Sequence, residues 1–176
     1  VNVTKTVFAL ASFAFATMPV ASGAADQARR PVFSPDPYHY LLGHWVGEGR
    51  FERSGKPLQS TLEVSIASRG EALELREEER PPNTFTYVGL LTLDSAGRLV
   101  MLMAGSNGGG ARLFNAVENT PTRLVLQSEP QLRAWFGLER ITLDERDADH
   151  LAATYEISSD NGASWRVGDR QIYSRS

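Results

Sequence analysis

After Gly43 the chain alternates between apolar and polar residues with the two-residue period of a half-buried β-strand. In STLEVSI, Leu62, Val64 and Ile66 fall on one side. HWVGEGRFE collects Trp45, Gly47, Gly49 and Phe51, while EALELREEE collects Leu73 and Leu75, with Glu77 continuing that face. FTYVGLLTLDSAGRLVMLMAG reads as a hairpin around Asp94–Gly97. ARLFNAV and RLVLQSE flank a turn at Asn119–Pro121, and AWFGLERITLDE and HLAATYEIS flank another at Arg146–Asp149. The octet SSDNGASW (Ser158 to Trp165) then turns the chain into a last strand, WRVGDRQIYSR. The pattern predicts about 8–10 antiparallel strands.

One segment departs from it. SPDPYHYLLG predicts a short helix with Asp36 at the N-cap, Pro37 at the first helical position and Gly43 at the stop. Tyr38, Leu41 and Leu42 share its packing face. Sequential hairpins with one apolar face close into a barrel, which removes exposed edges; a sandwich is the competing architecture. The predicted fold is all-β, an antiparallel meander β-barrel with a short N-terminal helix. A barrel of this size has room for side chains plus one small ligand.

The first residues do not belong to that pattern. Lys5, the apolar run from Val7 to Ala16, and the small residues Ala21 to Ala25 have the layout of a secretory signal. The apolar run is too short to span a bilayer comfortably. The expected organisation is a cleaved signal peptide over 1–24, an extended lead-in over 25–35, and a single barrel domain over 36–176. The expected location is periplasmic or secreted. Val1 in place of Met is what a GTG start codon would give, pointing to a bacterial source.

Composition narrows the partners. A chain 41% apolar and 22% charged can form a core. Its net charge of −3 argues against a nucleic-acid partner, which requires a basic face. With no cysteine, disulfides, thiolate metal sites, lipid attachment through a lipobox and Cys nucleophiles are all excluded.

Alternation also nominates charges that face inward, where a carboxylate acquires a raised pKa suited to acid–base work. The candidates are Glu77, Arg112, Glu139 and, opposite the Trp45 face, Glu48. The competing reading makes them rim residues at strand ends. Apolar inward positions nominate a ligand wall of Phe85, Tyr87, Leu91, Met101, Met103, Phe114, Trp135 and Tyr155. His39, His44 and His150 lack metal-ligand spacing, and no Ser nucleophile elbow occurs. GSNGGGAR (Gly105 to Arg112) lacks the P-loop Lys and a following helix, so it reads as a loop at the barrel mouth. REEERPPN (Arg76 to Asn83) reads as a solvated strand end, its prolines blocking edge pairing.

Three resemblances add to this. Gly43-His44-Trp45 opening the first strand and Tyr173-Ser174-Arg175 closing the last resemble the calycin superfamily, lipocalins among them. That resemblance implies a barrel closed at one end by Trp45 packed under Arg175, and binding of a small, mainly apolar molecule. LLGHWVGEG with HLAATY is similar to nitrobindins, which implies a haem ligand at His150 as an alternative. The octet resembles the Asp box of sialidases and related β-propellers. A single copy in a chain this short implies a hairpin clamp instead of a blade. An enzyme of cyclase, isomerase or lyase type on the same barrel is the other reading.

Overall fold

The computed structural model describes residues 31–106 and 110–176. The segment expected to be a signal peptide and the centre of the glycine-rich loop, 107–109, lie outside the described residues. Ten strands follow in order: β1 Gly43–Phe51, β2 Pro57–Ala67, β3 Ala72–Glu79, β4 Thr86–Leu93 and β5 Leu99–Gly105. Then come β6 Ala111–Thr120, β7 Arg123–Ser128, β8 Leu138–Asp147, β9 His150–Ser158 and β10 Arg166–Arg175. Each pairs antiparallel with the next and β1 pairs with β10, so the sheet closes into a barrel.

The short helix is a 3₁₀ helix over Asp36–Leu41, and its N-cap is Pro35, which makes no side-chain capping bond. Pro35 and Pro37 flank Asp36 and Tyr38 leaves helical geometry, so no α-helical turn propagates. Tyr38, Tyr40 and Leu41 nevertheless seal one end of the barrel.

At that end Trp45 is buried, its indole Nε1 donating to the Leu41 carbonyl at 2.9 Å. The Arg175 guanidinium lies 4.1 Å from the Trp45 ring centroid and donates to the Leu42 carbonyl at 2.6 Å and the Ala148 carbonyl at 3.1 Å. One cation thus ties the 3₁₀ helix, the β8–β9 turn and the first and last strands together. Above this plug the interior is solid, packed by Leu73, Leu91, Met101, Phe114, Leu126 and Leu151. Ile66 shares the parity of Leu62 and Val64 but is exposed, because β2 outruns β1, whose first residue Gly43 sits opposite Val64.

The octet is a hairpin clamp. The Asp160 carboxylate accepts from the Ser158 hydroxyl at 2.7 Å, the Ser164 amide at 2.9 Å and the Ser164 hydroxyl at 2.6 Å. Those bonds hold its carboxyl down, to about 2. Gly162, at φ +92°, supplies the left-handed backbone and donates to the Ser158 hydroxyl at 2.7 Å. Trp165, just beyond the turn, stacks under Arg140 at 3.8 Å.

Candidate functional site

The barrel is filled at its plugged end and hollow at the other, where β1 finishes at Phe51 and β3 at Glu79. The hollow is a cavity of about 340 Å³. Four of the nominated wall residues, Phe85, Tyr87, Met103 and Tyr155, line it. Leu91, Met101 and Phe114 point inward too, but they belong to the solid layer beneath.

Trp135 does not reach the cavity and is 82% exposed. Counting back by twos from Glu139 would turn it inward, but β8 begins only at Leu138. Residues 134–137 form a tight turn closed by an Ala134–Gly137 bridge, with Gly137 at φ +142°. The turn sends Trp135 to solvent and presents its edge-on neighbour Phe136 to the cavity instead. Glu48 is exposed, on the outer face opposite Trp45 and Gly47. His150 is likewise exposed, at the plugged end, with Nδ1 2.8 Å from an Asp147 carboxylate oxygen. His39 and His44 are exposed as well, so no described histidine faces the cavity and an axial ligand at His150 has no pocket beside it.

The other three charged candidates do face inward. Arg112 on β6 and Glu139 on β8 form a fully buried ion pair, Nη1 to Oε1 at 2.8 Å, and the Tyr155 hydroxyl donates to the same Oε1 at 2.9 Å. Room for the guanidinium comes from Gly105, where a Cβ would stand 2.3 Å from Arg112 Nη2. Burial pushes the Glu139 carboxyl up, while Arg112 and Tyr155 oppose that shift. Losing the Glu139 charge would strand a buried cation, which favours the ionised pair. Arg112 Nε and Nη2 and Glu139 Oε2 have no protein partner.

Across the cavity lies a second polar group. Glu77 Oε1 accepts from the Tyr173 hydroxyl at 2.6 Å and from Gln171 Nε2 at 3.2 Å. The Ser60 hydroxyl donates to Gln171 Oε1 at 2.7 Å and lies 3.0 Å from the Tyr173 hydroxyl. This network meets over Gly47, where a Cβ would come within 2.6 Å of the Tyr173 ring and 2.8 Å of Ser60 Oγ. A glycine on the inner face of β1 is therefore what lets β2, β3 and β10 join. Two further carboxylates, Glu79 and Asp169, line the same cavity.

Burial is the first cause of a raised carboxyl at all three. It lifts Glu77 against the opposing hydrogen bonds. It takes Glu79 to about 7, with Glu77 adding to the shift. Asp169 also rises to about 7, the charges of Glu77 and Glu79 adding to burial. The Tyr173 and Tyr87 hydroxyls are pushed well up by burial, so both remain protonated donors.

Sequence reasoning missed Glu79, Asp169, Gln171 and Tyr173 as site residues. The signal for Glu79 was the continuing parity Leu73, Leu75, Glu77; for the other two polar residues it was counting back by twos from Tyr173.

No protein-family model matches the chain, and no curated protein matches it. Among solved structures, the chain is similar to a de novo designed fluorescence-activating β-barrel, with 15% identity, TM-score 0.43, and coverage of 78% of this chain and 94% of that one. It is also similar to a redesigned β-barrel, with 12% identity, TM-score 0.38, and coverage of 82% and 98%.

Proposed function

We propose that the protein is an exported, lipocalin-like barrel that binds a small, mainly apolar molecule in the hollow half of its interior. The observation that carries this reading is the cavity itself. Its walls are mostly aromatic and aliphatic, with a few polar groups converging from opposite sides, as in small-molecule sites generally. The Trp45–Arg175 plug supports the lipocalin-like part, and the N-terminal apolar run supports export, which fractionation of the source cells would check. Native mass spectrometry of protein purified from its own compartment tests the binding. An adduct lost in Ala153→Trp, which fills the cavity from β9, is the expected result. An adduct indifferent to that substitution refutes the reading.

A second reading, an enzyme on the same barrel, is favoured by Glu79 and Asp169. Carboxyls at about 7 in a cavity are suited to proton transfer near neutral pH. It predicts that the captured molecule is chemically altered on incubation with the protein, and that Asp169→Asn stops the change. Recovery of the molecule unaltered leaves the binding function alone.

A further inference from the structure

The charges on the cavity wall do not balance. Five ionisable acid or base side chains other than tyrosine line it: Arg112, Glu77, Glu79, Glu139 and Asp169. The single cation is already committed to Glu139 at 2.8 Å. Among the described residues, no Lys, Arg or His lies within ion-pair distance of Glu77, Glu79 or Asp169. A buried carboxylate without a cation is ordinarily either removed or neutralised. Here Tyr173 and Gln171 donate to Glu77 and hold its Oε1 in place, offsetting part of the burial that lifts its carboxyl.

Across the same cavity the Arg112–Glu139 pair leaves atoms of both kinds without a partner, the donors Arg112 Nε and Nη2 and the acceptor Glu139 Oε2. Glu139 is 1% exposed, lines the cavity, and has an Oε2 acceptor with no partner. Its Oε1 accepts from Arg112 and Tyr155, and the Ala134 backbone amide also helps to hold the carboxylate charged. Aromatic rings complete the wall, Phe51, Phe85, Tyr87, Tyr155 and Tyr173 among them. Rings of this kind accept a cation over their faces.

We infer that the ligand carries an organic cation, a protonated amine or amidine on an apolar body, seated between Glu77, Glu79 and Asp169. An inorganic ion is the poorer fit, since no three acidic or histidine side chains among the described residues come together closely enough to hold a metal. The inference rests on the reading of the cavity as a binding site, and names the class of molecule that fits it.

The test is calorimetric titration of the full chain with matched probes. Each of three bodies, 2-phenylethyl, 2-(1-naphthyl)ethyl and n-decyl, is used as its amine, its alcohol and its carboxylate. The amine is expected to bind about tenfold or more tightly than the alcohol of the same body, a preference of about 1.4 kcal/mol. Glu77→Gln and Asp169→Asn should each bring the amine's affinity down toward that of the alcohol of the same body, both measured on the same variant. Equal affinity for amine and alcohol overturns the cation and leaves the binding site standing. Tightest binding of the carboxylate also overturns it and transfers recognition to Arg112. Binding of no probe, or binding unaffected by Ala153→Trp, overturns the site and the cation together. Thermal melts of the two amide variants show whether either has lost its fold.

Discussion

Arg112 and Glu139 meet in the barrel interior with neither side chain more than 1% exposed, across a 2.8 Å hydrogen-bonded contact. They come from β6 and β8, strands separated by β7, so the pair bridges the inside of the sheet and not its ladder. Arg112→Met leaves a buried carboxylate alone and is expected to lower stability by about 3–5 kcal/mol. Replacing both, Arg112→Met with Glu139→Leu, should recover most of that loss. Urea denaturation of the two singles and the double closes the cycle; an additive double would show that the charges are not coupled.

At the opposite end, Arg175→Ala removes the cation over Trp45 and two hydrogen bonds to backbone carbonyls. A loss of roughly 1–2 kcal/mol is expected for a partly solvated interaction of this kind. Ligand affinity should not change, because the solid layer of Leu91, Met101 and Phe114 separates the plug from the cavity. Melting curves and probe titrations on one variant test both halves of that statement.

The acid wall sets a pH dependence of unusual sign. Glu79 and Asp169 have folded-state carboxyls raised to about 7, so between the ordinary carboxylate range and about 7 the native chain binds more protons than the unfolded one. Their contribution to stability is therefore present at low pH and declines as pH rises to about 7. The ligand-free protein should melt at a higher temperature near pH 5 than near pH 8, and Asp169→Asn should flatten that slope. An amine in the cavity should restore much of the loss at pH 8.

Asp160 gives the opposite trend on a local scale. Its carboxyl is lowered to about 2 by the hydroxyls and amide it accepts from, so its contribution is present above the ordinary carboxylate range and lost as pH falls to about 2. Asp160→Ala should melt below the parent at pH 7 and coincide with it near pH 2. Persistence of the gap at pH 2 would mean that the turn, not the charge, is what the substitution damages.

Much of this was legible in the alternation, which assigns Glu77, Arg112 and Glu139 to the inner face. It fails where the period is reset. A bulge between Val167 and Asp169 shifts the parity of β10, hiding Asp169 from any count that starts at Trp165. The turn at 134–137 does the same for Trp135. Glu79 was lost for another reason: the parity of Leu73, Leu75 and Glu77 reaches it, but within REEER it looks like one more solvated charge, and its place opposite Ser60 on β2 confirms the inner face. Nor does parity say how high on the wall a side chain sits, which is why Leu91, Met101 and Phe114 were grouped with residues that line the hollow.

The division of the barrel into a solid half and a hollow half separates two kinds of selection along every strand. Residues near the Trp45 plug build the packed core, and those near Phe51 and Glu79 shape the hollow. Substitutions at the open end can therefore reshape the hollow while leaving the packed foundation untouched.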